Sequence, residues 1–274
     1  MAKPAANAEM PFLDHLEELR FRILWSLAAL VLGVIVAFVV VVKYDLIALL
    51  QRPIAPFLEA KLIITHPADA FKIVMLVSFA LGLVLALPVI LYQLWAFLSP
   101  ALYSHEKRLV IPVLVSASLL FLGGVCLSWF VVLPLTLGFL LTFQSASFTN
   151  MIRASDYFGF ATSISLALGA VFELPIAIVA LTALGILTPQ FLHTYRRHAF
   201  VLCVVAAAVI TPGGDPMSLA ALTVPLYLLY ELSVVGSEVV YRRQLRRQRR
   251  EEAERAREEA AERDAADREE GALA

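Results

Sequence analysis

The stretch DHLEELRFRILWSLAALVLGVIVAFVVVV, residues 14–42, places charged side chains directly before a long run without charge. The uncharged part, residues 23–42, has the roughly 20 residues that a helix needs to cross a hydrocarbon core. It exceeds the apolar core of a signal peptide, so we expect a retained membrane span. Three carboxylates, Asp14, Glu17 and Glu18, lie where lysine and arginine usually anchor a span to the headgroups. These acids therefore need an explanation.

The remainder of the chain extends this pattern. Of its 274 residues, 60% are hydrophobic, and the mean hydropathy is +0.80, whereas a soluble domain is about half apolar. Four spans are predicted at residues 21–42, 71–97, 109–143 and 157–185, the last with Ser155 and Asp156 as N-caps. Two shorter apolar segments follow at residues 198–210 and 217–237. We therefore predict an all-α integral membrane protein, with a membrane domain at residues 1–240 and a charged cytoplasmic tail at 241–274.

Three of these spans are irregular in length or composition. Residues 109–143 would form a helix of roughly 50 Å, so this span should tilt or bend, with Pro112 and Pro134 as bending points. Residues 198–210 reach only about 20 Å, and the last span contains Pro225. This final pair of spans crosses a thinned bilayer or forms a re-entrant hairpin, and both alternatives return the chain to the side that it left.

Lysine and arginine placement predicts the orientation. With a cytoplasmic N-terminus, seven of these residues fall in inside segments before the tail and five in outside segments. The ten arginines of the tail raise the inside count to seventeen, so the positive-inside rule favours two cytoplasmic termini. The tail is rich in helix-forming residues and polar all round, which indicates a solvated helix with a basic first half near anionic headgroups.

Motifs for enzymatic chemistry are missing from the sequence. The chain has no glycine-rich loop ending in Lys-Ser or Lys-Thr, and His105-Glu106 has no second histidine at the spacing of a zinc protease. Cys126 and Cys203 both fall inside spans, where they pack as small apolar side chains. We therefore predict no enzyme, no cofactor and no metal.

Glu173 is the one carboxylate near the middle of a predicted span. A charge at that depth costs about 3 kcal/mol on insertion scales, so a reason for its presence is expected. Two interpretations stay open. The carboxyl is protonated and hydrogen-bonded to a neighbouring helix, or it serves binding or proton transfer.

Several stretches together resemble one family, TatC, the multi-spanning receptor subunit of the twin-arginine protein translocase. They run in family order from about residue 12 to residue 238 and comprise FLDHLEELRFR, LPVILYQLWAFLSPALYSHEKR, FVVLPL, FELP, LTP, ITPGGDPMS and LYE. The resemblance implies six transmembrane helices in a concave bundle, short fifth and sixth helices, and both termini in the cytoplasm of a bacterium. The extended charged tail is not part of the family pattern.

The resemblance also implies a function. Proteins of this family bind twin-arginine signal peptides of folded cargo at the inner membrane. They recruit TatA- and TatB-type single-span subunits, and export uses the proton-motive force. A homo-oligomer within the receptor complex and contact with membrane lipid are also implied, whereas nucleic acid is not.

Individual residues match family positions. Glu18 with Arg20, Glu106 and Phe97 match positions for signal-peptide binding. Glu173, Pro53 and Asp215 match positions for partner contact or a transport step. Asp14 and Glu17 have weaker counterparts, and we assign them no direct contact. Because guanidinium pairs with carboxylate in a bidentate way, two arginines of a ligand require two acids at one depth, which Glu18 and Glu106 could supply.

Two other classes of protein compete with this interpretation. A secondary transporter or ion channel would use Glu173 as a proton or cation site, but the spans show no evident internal repeat. A purely structural scaffold would tolerate charge changes at Glu18. Retention of a twin-arginine peptide on purification, as opposed to a small solute, distinguishes the receptor from the transporter.

Overall fold

The structure, a computed structural model, describes residues 12–57, 61–98, 110–143, 151–211 and 216–273. Its α-helices are α1 (Phe12–Lys43), α2 (Leu46–Leu49), α3 (Asp69–Leu98), α4 (Val110–Leu127), α5 (Leu133–Thr142), α6 (Ala154–Phe172), α7 (Leu174–Ala183), α8 (Pro189–Thr194), α9 (Arg196–Ile210) and α10 (Pro216–Leu273). A 3₁₀ turn at Ala55–Phe57 follows α2, and a π-helical turn at Ser128–Val132 joins α4 to α5.

The predicted all-α membrane fold is confirmed. Among the described residues, five stretches are long and apolar enough to span a bilayer, at Leu16–Lys43, Asp69–Phe97, Ile111–Thr142, Ala154–Ala183 and Ser218–Arg257. With 15 residues, α9 is shorter than these, as its sequence predicts. Within the described ranges the only β-type pairing is one isolated bridge, between Ile63 and Arg153. The concave outline and the cytoplasmic position of both termini stay predictions.

The first two spans cross where two glycines meet. A Cβ on Gly33 of α1 would lie 2.5 Å from the carbonyl oxygen of Gly82 on α3. A Cβ on Gly82 would lie 2.6 Å from the backbone nitrogen of Val34. Only glycine permits this approach, and small residues at helix crossings are how membrane helices gain packing contact.

A second crossing of the same kind joins α4 to α6. A Cβ on Gly124 would lie 2.7 Å from the carbonyl oxygen of Leu168, and one on Gly169 would meet the ring of Phe121 at 2.8 Å. One turn further along, the buried hydroxyls of Ser128 and Ser165 are 3.0 Å apart. The two helices are therefore antiparallel, and a polar contact between their side chains fixes their register.

Two spans are interrupted, each beside a proline. The π-helical turn ends directly before α5, which has Pro134 in its first turn, so the predicted irregularity of the third span is confirmed there. Pro112 lies in the first turn of α4, where backbone N–H groups have no helical acceptor, so its missing N–H costs no hydrogen bond. In the fourth span Glu173 separates α6 from α7.

The predicted caps of the fourth span are wrong. Arg153 is the N-cap of α6, and Asp156 lies within the first turn of that helix. No side chain accepts a hydrogen bond at this cap. The N–H of Ala154 instead donates to the carbonyl oxygen of Ile63 at 2.9 Å, so a backbone pairing replaces the cap that the sequence indicates.

The last two passes are antiparallel and unequal. Phe200 of α9 meets Tyr227 of α10 edge to face, with ring centroids 5.5 Å apart. Pro225 does not interrupt α10, which continues for 58 residues from the membrane into the charged tail. The boundary between a membrane domain (1–240) and a tail (241–274) is thus a change of composition within one helix and stays a prediction.

A short structured cap closes one end of the bundle. The short helix α2 (Leu46–Leu49) lies in this cap, between the first two spans. The hydroxyl of Tyr157 on α6 donates to the carbonyl oxygen of Leu50 at 2.6 Å, and Ile54 of the cap is fully buried. The main core cluster lies beneath this cap and includes Val41, Val77, Leu133, Phe158 and Leu222. The cap is therefore packed onto the bundle as part of its core.

We expect Gly82→Ala to destabilise the protein by about 1–3 kcal/mol, because the new methyl group would push α1 away from α3. Gly159→Ala is the matched control, since a Cβ there meets nothing within 4 Å. It should leave stability unchanged or slightly raised. Thermal unfolding in detergent measures both variants, and equal melting temperatures would show that the crossing does not need glycine.

Candidate functional site

Glu18 lies half-buried in α1, and Arg22 holds it one turn further along the same helix. Nε of Arg22 donates to Oε1 of Glu18 at 3.0 Å, and Nη2 of the same guanidinium also pairs with Oε1. Nη1 of Arg22 reaches Oε1 of Gln93 on α3 at 3.5 Å. The carboxylate is thus fixed by a cation that also contacts the neighbouring helix.

The register between α1 and α3 brings Phe97 to the level of Glu18. Arg22 precedes Gly33 by 11 residues, and Gln93 follows Gly82 by 11, as an antiparallel pair requires. One more turn in each helix sets Phe97 opposite Glu18. Phe97 is half-buried there, beside the end of α3. An aromatic side chain and an ion-paired acid therefore share one end of the bundle.

Arg20 is exposed, and two residues of helix place it roughly 200° around α1 from Glu18. The structure therefore does not bring it to the face that holds Arg22 and Gln93. Glu106 and Asp215 lie outside the described residues, and their predicted roles stay predictions.

Glu173 sits at the junction of α6 and α7. Its N–H donates to the carbonyl oxygen of Ala170 at 3.2 Å, and its own carbonyl accepts from Ile176 and Ala177 at 3.1 and 3.0 Å. Oε1 of its side chain is buried, and no hydrogen-bond partner for that atom exists in the part of the chain that the structure describes. The expected bond to a neighbouring helix is therefore missing there.

Pro53 is buried in the cap, next to the fully buried Ile54. The cap is at the opposite end of α1 and α3 from Glu18, because Gly33 and Gly82 lie between the two sites in sequence. Pro53 therefore belongs to a different region of the molecule from Glu18 and Phe97.

Sequence reasoning missed a polar network that joins α8 and α9 to α10. Nη2 of Arg196 donates to Oε2 of Glu231 at 2.8 Å, and the hydroxyl of Tyr227 donates to the other oxygen of that carboxylate at 2.8 Å. One heptad on, Glu238 contacts Nε2 of His193 at 2.7 Å and Nη2 of Arg242 at 3.2 Å. The available signal was the spacing of two acids seven residues apart, which puts both on one face of α10.

Further contacts attach α7 to α10. The buried hydroxyls of Thr182 and Ser237 are 2.8 Å apart, and Nε2 of Gln244 donates to the carbonyl oxygen of Ala183 at 2.7 Å. A Cβ on Gly236 would lie 2.8 Å from a methyl group of Val179. These two helices run parallel, so α7, α9 and α10 form a polar-bonded group of helices at the end of the bundle that also holds Glu18. Among the described residues, no cluster of His, Cys, Asp or Glu could hold a metal ion.

Comparison with known proteins identifies the class. The family model described as "TatC: Sec-independent protein translocase protein (TatC)" matches residues 14–225. The translocase protein TatC of Aquifex aeolicus (strain VF5) is 38% identical over 236 residues, covering 85% of this chain and 97% of that protein. TatC of Escherichia coli (strain K12) is 38% identical over 231 residues, which are 83% of this chain and 88% of that protein.

A solved structure agrees with this match. The crystal structure described as "Twin Arginine Translocase Receptor- TatC" superimposes with a TM-score of 0.71 at 38% identity, covering 82% of this chain and 99% of that one. The fold and the sequence therefore define a multi-pass subunit of a Sec-independent protein translocase. The chain belongs to the TatC family, whose function is transport and not catalysis.

We expect Arg196→Gln to loosen the attachment of α9 to α10. The side chains of Arg196 and Glu231 are 42% and 29% exposed, so the loss should be at most about 1 kcal/mol after solvent screening. Hydrogen exchange of the α9 amides should then be up to about fivefold faster. Arg197→Gln is the matched control, because Arg197 is exposed and adjacent in sequence. Unchanged exchange in Arg196→Gln would mean that this ion pair does not hold α9.

Proposed function

We propose that this protein is the receptor of a twin-arginine translocase and that it binds the arginine pair of a signal peptide at Glu18. The observation that carries the proposal is the held carboxylate of Glu18, at one end of α1 with Phe97 at the same level. Carboxylates at a membrane boundary are unusual, and a cationic ligand gives them a purpose. Phe97 offers an apolar surface for the side chain that follows the arginines.

Arg22 acts in this proposal as a placeholder for the ligand. It pairs with Glu18 in the structure and also reaches Gln93, so it has a second partner on α3. An arriving guanidinium displaces Arg22 from the carboxylate, and Arg22 then keeps its bond to Gln93. The exchange replaces one charge-assisted bond with another, which keeps the acid from being buried unpaired in either state.

Glu106 supplies the second acid. It lies in the segment that connects α3 to α4, and α3 ends at Leu98, one residue beyond Phe97. The end of α3 is therefore at the level of Glu18. Two carboxylates from different segments match two adjacent arginines better than one carboxylate does, because each guanidinium can form its own bidentate pair. Arg20, on the opposite face of α1, contacts the peptide flank or the headgroups.

Later steps use other parts of the molecule. The bacterial inner membrane holds the protein with both termini in the cytoplasm, in accord with the placement of lysine and arginine. TatA- and TatB-type single-span subunits join a homo-oligomeric receptor, and the proton-motive force drives export. Glu173 contacts a partner or the inserted signal, and Pro53 and Asp215 serve partner contact or a transport step. The short α9 thins the bilayer on its side.

We expect Glu18→Gln to weaken the binding of a twin-arginine signal peptide by about one to two decades, the effect of losing a charge-assisted hydrogen bond. Glu17→Gln is the matched control, because Glu17 is exposed and one residue away. Fluorescence anisotropy of a labelled peptide measures the affinity of each folded variant. The affinity for a twin-lysine peptide should fall less from wild type to Glu18→Gln, since lysine lacks the bidentate geometry.

The opposite outcome is equally clear. If the affinities of wild type, Glu17→Gln and Glu18→Gln agree, Glu18 is not the receptor site. Gln93→Leu tests the placeholder step separately. It removes the second partner of Arg22 and leaves Glu18 in place, so it should weaken binding less than Glu18→Gln does. A Gln93→Leu effect as large as that of Glu18→Gln would contradict the exchange.

We expect Glu173→Gln to retain most of the transport activity, whereas in Glu173→Ala the transport activity should fall at least tenfold. The affinity for the signal peptide should be unchanged in both variants. Gln preserves the shape and hydrogen-bonding capacity of the neutral carboxyl, and Ala removes both. Export of a folded reporter and peptide anisotropy measure the two steps independently. Loss of peptide affinity in both variants would move Glu173 to the recognition step.

A further inference from the structure

An apolar cavity of about 140 Å³ lies beneath the cap, between α3, α4 and α6. Its walls include Leu50 of the cap, Val84 of α3, Trp129 of the π-helical turn and Phe158 of α6. Ser165 and Thr162 also line it, but the hydroxyl of Ser165 is engaged by Ser128 at 3.0 Å, which leaves Thr162 as a single polar side chain for a water. Water in such a cavity would lack the two to four polar partners that it needs. The cavity therefore suits hydrocarbon.

A larger groove of about 560 Å³ adjoins this cavity and opens beside the cap. The two share three wall residues, Leu50, Val125 and Trp129. The groove is bordered further by Phe130, which is 74% exposed, and by Pro134. The cavity and the groove therefore lie side by side along these three residues, and we call the two together the channel.

Arg52 lies at the cap end of this channel. It lines the groove, its side chain is exposed, and its backbone is fixed by a bond from its N–H to the carbonyl oxygen of Leu49 at 3.2 Å. Next to it, Pro53 and Ile54 are buried and anchor this part of the cap. Across the described ranges, no carboxylate forms an ion pair with Arg52. An exposed cation on an anchored backbone thus lies at the cap end of the channel.

We propose that this channel binds one molecule of a phospholipid with an anionic headgroup, whose phosphate pairs with Arg52 and one of whose acyl chains enters the cavity beside Trp129. Guanidinium matches phosphate in a bidentate way. An apolar cavity of about 150 Å³ accepts a benzene-sized hydrocarbon, so the inner cavity holds part of an acyl chain. The site goes beyond the proposed receptor function, because it lies at the opposite end of the bundle from Glu18.

The placement of charge favours a lipid over other apolar occupants. A lipid carries its negative group at the membrane boundary and its apolar part deeper, and the channel has Arg52 and the apolar cavity in that order. A transmembrane helix, which is about 10–12 Å across with its side chains, would not fit into an inner cavity of about 140 Å³. The apolar segment of a signal peptide is the remaining alternative, and the experiment below separates it from the lipid.

Trp129 provides a direct readout, because it lines both the cavity and the groove. The chain has three tryptophans, so Trp25→Phe and Trp95→Phe leave Trp129 as the single indole emitter. The full-length protein is reconstituted in phosphatidylcholine bilayers with a small fraction of phosphatidylglycerol brominated in its acyl chains. Matched bilayers carry the same fraction of brominated phosphatidylcholine.

Brominated phosphatidylglycerol should quench Trp129 well beyond its mole fraction, and brominated phosphatidylcholine should not. Arg52→Gln should weaken the preference for phosphatidylglycerol about fivefold, which corresponds to about 1 kcal/mol for one basic residue at the surface. Lys61→Gln removes an exposed charge outside the groove and should leave the preference unchanged. Ala80→Leu, which fills the inner cavity, should reduce quenching by both lipids.

If both brominated lipids quench Trp129 equally and in proportion to their mole fraction, the proposal is overturned. Such quenching is expected when bulk bilayer lipid surrounds a groove that does not select its lipid. An unchanged preference in Arg52→Gln would also overturn it. If the lipids show no enrichment but a twin-arginine peptide shifts the emission of Trp129, the occupant is the apolar segment of the peptide and the lipid assignment is wrong.

Discussion

Helices in a bilayer gain little by covering one another's apolar side chains, because lipid tails are as apolar as the helices. What holds this bundle together is close backbone contact at the Gly33–Gly82 and Gly124–Gly169 crossings. The first crossing sets the register that lets Arg22 reach Gln93 and brings Phe97 to the level of Glu18. The position of Glu18 relative to Phe97 thus depends on the contact between Gly33 and Gly82 near the middle of the two spans.

Polar side chains follow a related constraint, since a polar group in hydrocarbon is costly unless another group bonds it. Ser128 pairs with Ser165, and Thr182 pairs with Ser237, each across two helices. Glu173 and Thr136 depart from this pattern, because Oε1 of Glu173 and Oγ1 of Thr136 are buried without a hydrogen-bond partner within the described residues. Of the two, Glu173 stands at the break before Pro175, where the helix ends and begins again. A break and an unbonded carboxyl oxygen at one place are typical of a position kept for a ligand or partner.

The parts of the structure that sequence predicts well are those with a strong local signal. Span positions follow from apolar length, and the short α9 and the irregular third span follow from counting residues and locating Pro134. The caps at Ser155 and Asp156 were predicted wrongly, because the backbone pairing of Ile63 with Ala154 is a contact between distant segments. Gln93 was missed for the same reason. Its role depends on the register of α1 against α3, and a single sequence does not contain that register.

The acidic residues also differ in how much of their role the sequence reveals. Glu18 stands out in sequence as one of three acids directly before a long apolar run, and Glu173 as a carboxylate near the middle of a predicted span. Glu231 and Glu238 fall near the end of the last predicted span, next to the many charges of the tail, so neither stands out in sequence. Only the fold shows that Arg196, Tyr227 and His193 converge on them from three helices. A polar residue can thus be located from sequence, whereas its partners are a property of the packing.

The continuity of α10 has a mechanical consequence. Because one helix runs from the membrane through Leu273, its charged part is a rigid arm of roughly 50 Å at 1.5 Å per residue. A tilt of about 10° at the boundary moves the far end by about 9 Å over an arm of that length. Arg196 and His193 bind the side chains of Glu231 and Glu238 on α10, close to the point where this arm begins. Any change in the tilt of α10 set by α8 and α9 would therefore be magnified at the distal end of the helix.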